Sequence, residues 1–245
     1  MVISSLDNEK VKKYTKLQKK KYRDEYGQYI VEGLHLVLEA YKTGVLEELI
    51  LEENESLPLS VPYTLVSKDV CNKISTLDTC STVMGLCNKK ENNDIIGDKV
   101  LLLDEVQDPG NLGTIIRSAV AFHVDTIILS ENTVDLYNPK VLRATQGMLF
   151  HTNIISMEGL KAIDVLKERN IPVFGTNVEY GMDVRSLYSK DKVKYCLVMG
   201  NEGNGVRKEI ATACDKNLYI DMDKNVESLN VAIATSILLY ELGRE

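Results

Sequence analysis

The second half of the chain alternates short apolar runs with segments of helical periodicity. Runs that are apolar at nearly every position are typical of parallel strands buried on both faces. Strands that alternate with helices predict an α/β domain, a parallel sheet with helices on both sides. The predicted strands are 100–104, 125–130, 171–177, 195–201 and 217–222, and the predicted helices are 112–123, 139–148, 158–169, 206–214 and 228–242.

The first part of the chain predicts a smaller α/β unit. Its pattern indicates helices at 7–20, 29–44 and 68–77 and strands at 48–53, 62–67 and 81–88. Ser5 or Asp7 is the candidate N-cap of the first helix, and Gly44 ends the second. The polar stretch after Cys87 lacks periodicity and contains the linker. We therefore expect a small domain over 1–90, a linker over 91–99 and a second domain over 100–245.

Composition narrows the class of protein. The 245 residues contain no apolar run long enough to cross a bilayer, and the N-terminus lacks the apolar core of a signal peptide. We therefore expect a cytoplasmic protein. The five cysteines are odd in number and lack CxxC spacing, and the three histidines form no HExxH motif. We expect no metal centre and no membrane partner.

Basic residues crowd the N-terminal stretch although the net charge is −7. Such a cluster can bind phosphates, or it can simply be the solvated face of a helix, and both interpretations stay open. Lys140 and Arg143 later in the chain raise the same question, and there surface charge is favoured over RNA contact. The N-terminal cluster consists of Lys10, Lys12, Lys13, Lys16, Lys19, Lys20, Lys21 and Arg23.

The first segment that could carry chemistry is DEVQDPGNLGTIIRSA at 104–119. A buried strand ends at Asp104, and a helix begins near Asn111, which is a candidate N-cap. Arg117 lies among apolar residues of a helix that we expect to be largely buried, and a buried arginine needs a partner. An internal carboxylate and a bound phosphate are both possible partners.

The second segment is a glycine-rich loop, Gly200-Asn201-Glu202-Gly203-Asn204-Gly205. Its GxxGxG spacing differs from the GxGxxG of dinucleotide-binding folds, and no acidic residue follows at the distance that holds a ribose. A flexible turn between a strand and a helix is the simpler interpretation. Glu202 could then favour the N-terminus of the next helix through the helix dipole.

The third segment is Val226-Glu227-Ser228-Leu229-Asn230, which leads into the last helix. Ser228 is the candidate N-cap. The helix is apolar on nearly every face, so it should be buried against this chain or against a second copy. Asn230 falls in its first turn, where the side-chain amide could reach a ligand.

Taken in order, these three segments resemble the motifs of the SpoU (TrmH-like) family of RNA ribose 2'-O-methyltransferases, in the SPOUT superfamily. The motifs are Asn111…Arg117, Gly200-Asn201-Glu202-Gly203 and Ile220…Asn230, within a catalytic domain at 100–245. The segment KYRDEYGQYIVEGLHLVLEA at 21–40 is similar to the substrate-binding domain that often precedes it. The resemblance implies a parallel sheet whose C-terminal segment forms a deep trefoil knot, and a homodimer.

The resemblance also implies a cofactor, a substrate and site residues. S-adenosylmethionine would bind inside the knot, and the substrate would be the ribose 2'-hydroxyl of RNA, 23S ribosomal RNA before tRNA. Arg117 would orient the phosphate beside that hydroxyl, because a guanidinium is charged at all working pH values. Asn111, Glu202 and Asn230 would organise Arg117 and the ribose. The cofactor-binding residues would be Thr176, Gly200, Ile220, Met222, Ser228 and Leu229.

The chain departs from the family's pattern at four positions: Asp221, where proline is common, Lys224 for glycine, Ala232 for serine, and Gln146 for a small residue. Two alternatives of another class stay open. One is a non-catalytic RNA-binding module on the same fold. The other is an unrelated nucleotide-binding α/β enzyme.

Overall fold

A computed structural model of the protein describes residues 2–90, 95–178, 181–187 and 193–243. Their contacts group the chain into two compact units, Met1–Glu91 with Asp135–Phe150, and Asn92–Val134 with His151–Glu245. Residues 135–150, which the sequence analysis assigns to the second domain, therefore belong by their contacts to the first unit. Part of the predicted linker, 91–94, lies outside the described residues.

The first unit contains a five-stranded mixed sheet. In the order β1-β4-β3-β5-β2, the first two pairs of neighbours are parallel and the last two are antiparallel. Its strands are β1 (Val2–Ile3), β2 (Gln28–Glu32), β3 (Leu46–Glu52), β4 (Tyr63–Val66) and β5 (Val83–Asn88). Its helices are α1 (Glu9–Lys16), α2 (Lys20–Tyr26), α3 (Leu34–Lys42), α4 (Lys68–Ile74) and, later in the chain, α6 (Pro139–Thr145).

Two of the helices predicted in this unit are wrong in extent. The basic helix expected over 7–20 is divided into α1 and α2, and its N-cap is Asn8 rather than Ser5 or Asp7. The helix expected over 29–44 begins with a strand, because Gly33 adopts a positive φ of 102° between β2 and α3. The apolar run Tyr-Ile-Val thus extends the sheet instead of the helix.

Arg23 ties the segment 135–150 to the N-terminal helices. Its side chain is only 3% exposed and donates to Asp135 at 2.5 Å and to the carbonyl oxygens of Leu17 and Gln18 at 2.8 Å each. A buried guanidinium with all these partners is a structural group. Arg23 is therefore not part of any phosphate-binding surface, which corrects its inclusion in the basic cluster.

Arg143 is also a structural residue of the first unit. Its guanidinium donates to Thr76 Oγ1 at 2.8 Å and lies 3.8 Å from the buried carboxylate of Glu32. Glu32 also accepts hydrogen bonds from Ser75 Oγ and from the backbone N–H of Thr76. Lys140 is exposed. The favoured interpretation, simple surface charge, therefore does not hold for Arg143.

The second unit is a seven-stranded sheet with the order β10-β12-β9-β11-β6-β7-β8, and every pair of neighbouring strands in its described part is parallel. The predicted α/β class with a parallel sheet is confirmed. The strands are β6 (Lys99–Leu103), β7 (Thr126–Leu129), β8 (Asn153–Ser156), β9 (Val173–Thr176), β10 (Met182–Asp183), β11 (Tyr195–Met199) and β12 (Lys216–Tyr219). The helices are α5 (Pro109–Ala121), α7 (Gly159–Glu168), α8 (Lys208–Ala213) and α9 (Val231–Gly243).

The strand order determines where a ligand can bind. The late strand β11 lies between β6 and β9, and β12 lies beyond β9. The carboxyl ends of β9, β11 and β12 therefore meet at one edge, where parallel α/β sheets bind ligands. The trefoil knot stays a prediction.

Candidate functional site

A cleft of about 840 Å³ lies at the carboxyl ends of β9, β11 and β12. Its volume is within the range of about 300–1,000 Å³ that small-molecule sites have. The glycine-rich loop and the segment before α9 both contribute to its lining. The structure brings together in its lining all six residues that the resemblance assigns to a cofactor: Thr176, Gly200, Ile220, Met222, Ser228 and Leu229.

The glycine-rich loop is a closed turn rather than the flexible connection that its composition suggested. Asn201 and Gly205 exchange two backbone hydrogen bonds of 2.9 Å each, and Gly205 has a positive φ of 68°. The Asn201 side chain accepts from the backbone N–H of Gly203 at 2.9 Å and donates to the carbonyl oxygen of Glu105 at 2.9 Å. One side chain therefore fixes both the turn and its position after β11.

Gly200 is required by close backbone packing. A Cβ at this position would lie 2.0 Å from the carbonyl carbon of Gly205 and 2.1 Å from the nitrogen of Val206. Both neighbours are backbone atoms that cannot rotate away. At Gly203 the nearest atom to such a Cβ would be Asn201 Oδ1, at 3.6 Å. The two glycines of the motif therefore have different roles.

Three of the four predicted catalytic residues form one chain of side-chain hydrogen bonds. Asn230 Nδ2 donates to Asn111 Oδ1 at 2.9 Å, and Asn111 Nδ2 donates to Glu202 Oε1 at 3.1 Å. These residues belong to three segments that are far apart in the sequence. The chain of hydrogen bonds fixes the orientation of the Asn111 amide, because its donor and its acceptor both have partners.

Glu202 is held as a carboxylate. Partial burial raises its pKa, but hydrogen bonds from the Asn111 amide and from backbone N–H groups outweigh this effect, and the pKa lies below its ordinary value. The backbone donors are Asp108 at 3.0 Å and Gln107 at 3.2 Å. Glu202 thus anchors the start of α5.

Both N-caps predicted in this region are wrong by a few residues. The N-cap of α5 is Asp108, whose side chain accepts from the backbone N–H of Asn111 at 2.8 Å. At α9, Asn230 rather than Ser228 caps the helix, since its Oδ1 accepts from the N–H of Ala232 at 2.9 Å. The Asn111 side chain is therefore available for Glu202 and Asn230.

Arg117 is exposed, contrary to the expectation of a buried arginine. Within the described part of the chain its guanidinium makes no hydrogen bond and no ion pair. The apolar face of α5 is formed instead by Leu112, Ile115 and Ile116. An arginine without an internal partner can bind an external anion through its planar fork.

Sequence reasoning missed the ion-pair network below the loop. Asp104, 1% exposed at the end of β6, accepts from Arg207 Nε at 2.8 Å, and Arg207 Nη1 lies 2.7 Å from Glu131. Hydrogen bonding to Asp104 raises the pKa of Arg207 further above its ordinary value. Asp104 could have been found as a carboxylate at the end of a buried strand, which needs a cationic partner.

The departure at Asp221 also has a local partner. Arg185 Nη2 lies 3.4 Å from the Asp221 carboxylate and 2.5 Å from that of Asp183. These exposed side chains connect the segment after β12 with the edge strand β10. An acidic residue thus replaces the common proline without leaving its charge unpaired.

The last helix is buried only in part. On its inner side α9 packs against α5, where Ser118 and Ser236 share a hydrogen bond of 2.7 Å and the Phe122 and Tyr240 ring centroids are 5.8 Å apart. Ile233 is 53% exposed, and Tyr240 is 51% exposed despite its contact with Phe122. The helix therefore leaves apolar surface uncovered by this chain.

No cluster of three or more His, Cys, Asp or Glu side chains that could hold a metal ion is found in the described ranges. The absence of a metal centre stays a prediction. No helix among these residues is long and apolar enough to cross a membrane.

The fold is an α/β domain with a parallel sheet, and a glycine-lined cleft lies at the carboxyl edge of that sheet beside a chain of oriented polar side chains. These features define an α/β protein that binds a small molecule at the carboxyl ends of its strands. The chain belongs to the SpoU rRNA Methylase family, which matches residues 98–240. Residues 8–85 match the MRM3-like substrate binding domain. The predicted resemblance to this family is confirmed.

Similar proteins match nearly the whole chain. The 23S rRNA (guanosine(2553)-2'-O)-methyltransferase RlmP of Bacillus subtilis (strain 168) is 35% identical and covers 98% of both chains. The crystal structure of an AdoMet-bound rRNA methyltransferase from Sinorhizobium meliloti is 31% identical, with a TM-score of 0.88, over 99% of this chain and 97% of that one. The structure of a putative TrmH-family RNA methyltransferase from Porphyromonas gingivalis is 29% identical, with a TM-score of 0.87, over 97% of this chain and 98% of that one.

Proposed function

We propose that this protein transfers a methyl group from S-adenosylmethionine to a ribose 2'-hydroxyl of 23S ribosomal RNA. The chain of hydrogen bonds from Asn230 through Asn111 to Glu202, next to the Gly200 cleft, carries this proposal. The similarity to RlmP over 98% of both chains supports 23S rRNA as the substrate. Because RlmP is named for a guanosine, we propose that the methylated nucleoside is a guanosine here too. Ribosomal RNA as substrate implies a cytoplasmic protein.

The cleft suits S-adenosylmethionine. The loop after β11 and the segment before α9 line it, and Gly200 lets the backbone at Gly205 and Val206 pack closely behind the loop. Thr176, Gly200 and Ile220 would hold the cofactor from the strand ends, together with Met222, Ser228 and Leu229 from the segment between β12 and α9. When bound, the cofactor supplies an electrophilic methyl group.

The residues of the chain would supply orientation. The exposed guanidinium of Arg117 would bind the RNA phosphate next to the target ribose through charge-assisted hydrogen bonds. It would stay protonated, so it would position the hydroxyl rather than remove its proton. The fixed Asn111 amide would align the first turn of α5, about 1.7 helical turns before Arg117, with the loop that lines the cleft.

The rest of the molecule has separate parts in this proposal. The first unit would select the RNA, which fits its match to a substrate-binding domain. The exposed apolar side chains of α9, Ile233 and Tyr240, would be covered in a homodimer. The knot expected from the family would hold the segment before α9 against the cleft.

Calorimetric titration of the purified protein with S-adenosylmethionine, with ATP and NAD as controls, tests the cofactor assignment. Binding of S-adenosylmethionine alone supports the proposal. Binding of a nucleotide instead would contradict the cofactor assignment. If neither the free protein nor its complex with 23S rRNA binds S-adenosylmethionine, the chain is a non-catalytic RNA-binding module. Comparing methyl transfer to 23S rRNA with transfer to bulk tRNA tests the RNA class.

A further inference from the structure

The basic cluster at the N-terminus divides into paired and unpaired side chains. Lys10 is 2.6 Å from Glu48, Lys12 is 3.1 Å from Glu9, and Lys20 is 2.8 Å from Asp24. The other four lysines make no side-chain hydrogen bond or ion pair to any residue that the structure describes. The unpaired group, hereafter the open lysines, consists of Lys13, Lys16, Lys19 and Lys21.

Three of the open lysines lie over two tyrosine rings. The Lys13 ammonium is 5.7 Å from the centroid of the Tyr26 ring, and those of Lys16 and Lys21 are 5.4 and 5.7 Å from that of Tyr22. The two rings are themselves nearly parallel, at 17° and 6.3 Å, one turn apart on α2. Unpaired charge and aromatic surface therefore coincide on one face of α1 and α2.

Asp24, one of the two acidic residues of α2, does not neutralise the open lysines. The Asp24 carboxylate accepts from Lys20 at 2.8 Å through one oxygen and from Lys89 at 2.6 Å through the other. These hydrogen bonds, from Lys20 first and Lys89 second, hold the pKa of Asp24 below its ordinary value. Both oxygens are already occupied by lysines outside the open group.

We propose that Tyr22, Tyr26 and the open lysines form a binding site for a single-stranded segment of RNA. Single-stranded nucleic acids bind where bases stack on aromatic rings and cations follow the backbone. An exposed lysine over a ring is held more weakly than a stacked base, so a base can displace the ammonium toward its own phosphate. This inference rests on the proposed function, because it names how the first unit holds the RNA substrate.

The ring geometry favours a single strand over a duplex. In an A-form duplex the base faces are already stacked, and a protein reaches mainly phosphates and 2'-hydroxyls. Lysines alone would serve that purpose, and the two tyrosines would contribute little. Tyr26 is 36% exposed at the surface of the helix, which leaves it available to a base.

Two matched double variants of the full chain test the electrostatic part. K13Q/K16Q removes two open lysines, whereas K10Q/K12Q removes two ion-paired lysines from the same helix, α1, and leaves the partners of Asp24 in place. The probe is a fluorescent single-stranded oligoribonucleotide of about 12 nucleotides, and its affinity is measured by anisotropy at several salt concentrations without cofactor. We expect K13Q/K16Q to reduce the slope of log K against log salt by about 1.4, or about 0.7 per lost phosphate contact, and K10Q/K12Q to leave it unchanged.

A second pair tests the stacking part. Y26A should weaken binding about tenfold, whereas Y26F, which keeps the ring, should bind like the original protein. An RNA duplex of the same length should bind equally well to both variants. Thermal unfolding of each variant controls for folding.

Equal salt slopes for the two double variants, or equal affinities of Y26A and Y26F for the single strand, would overturn the site. The site would also be overturned if polyglutamate displaced the labelled RNA as effectively as unlabelled RNA does at the same concentration of negative charge. That result would indicate a site for an acidic protein. These results are independent of the proposed function, which fails instead if S-adenosylmethionine does not bind and no methyl group is transferred.

Discussion

Asn230 and Asn111, which are 119 positions apart in the sequence, share a 2.9 Å hydrogen bond from Asn230 Nδ2 to Asn111 Oδ1. The two polar atoms of the Asn230 side-chain amide have separate uses, since its Oδ1 caps α9 and its Nδ2 holds Asn111. This arrangement explains why an asparagine is needed there. Aspartate could cap the helix equally well but could not donate to Asn111.

The variants N230D and N230A separate these two uses. N230A should lower the free energy of unfolding by about 1 kcal/mol through loss of the cap, whereas N230D should keep it. Both should reduce methyl transfer at least about tenfold, because Asn111 loses the donor that orients it. Urea unfolding and methyl transfer to 23S rRNA measure the two effects. Full activity of N230D would show that the hydrogen bond to Asn111 has no part in the reaction.

Glu202 should make stability depend on pH. Its folded-state pKa lies below its unfolded value, so its contribution is present above the unfolded pKa and is lost as the pH falls through the folded pKa. E202Q replaces one of two acceptor oxygens with a donor, and because Glu202 is exposed the change should cost about 0.5–1.5 kcal/mol near neutral pH. Denaturant unfolding of both proteins from about pH 7 down to about pH 3 should show this difference narrowing.

E168Q is the control for that experiment, because Glu168 is exposed and makes no side-chain hydrogen bond within the described ranges. Its free energy of unfolding should follow that of the original protein at every pH. If the free energies of unfolding of E202Q and the original protein differ by the same amount at every pH, a Glu202 carboxylate held by N–H donors is contradicted.

The two glycines of the loop should respond differently to the same substitution. G200A places a methyl group 2.0 Å from backbone, so we expect a loss of about 3 kcal/mol in stability together with loss of cofactor binding. G203A meets its nearest neighbour at 3.6 Å and should be almost neutral in stability. Denaturant unfolding compares the pair. Equal stabilities would mean that the loop does not pack as described.

Arg117 should be needed for the reaction but not for the fold. R117A removes an exposed side chain without a described partner, so its free energy of unfolding should change by no more than about 0.5 kcal/mol. Methyl transfer should fall about 100-fold or more, because the phosphate is no longer positioned. R169A is the matched control, because Arg169 is an exposed arginine at the end of α7 whose side chain makes no hydrogen bond or ion pair to the described residues. Calorimetry with S-adenosylmethionine should give the same affinity for both variants.

The sequence predicts the sheet of the second unit better than the details of its site. Buried parallel strands are apolar runs, and β6, β7, β9, β11 and β12 lie where those runs predict them. β8 does not stand out in the pattern, because its only apolar residues, Ile154 and Ile155, lie between polar Asn153 and Ser156. In the first unit, the apolar spacing of 29–44 did not reveal β2, because a glycine with positive φ divides the segment without interrupting the pattern.

The errors in the site have physical causes. Asp108 precedes Pro109, and a good N-cap followed by proline at the first helical position is a signal that would have placed the start of α5 correctly. The exposure of Arg117 depends on which face of α5 packs against α9, and that is decided by tertiary structure. The link between Asn111, Glu202 and Asn230 is also tertiary, so spacing along the chain could not have indicated it.

The most direct test of the account is to identify the methylated nucleoside. The protein is incubated with tritium-labelled S-adenosylmethionine and unmodified 23S rRNA transcript, and the RNA is digested to nucleosides that are separated by chromatography. We predict that the label is found in 2'-O-methylguanosine with the original protein and is absent with R117A. Label on a base, or equal transfer by R117A, would contradict ribose 2'-O-methylation through this site.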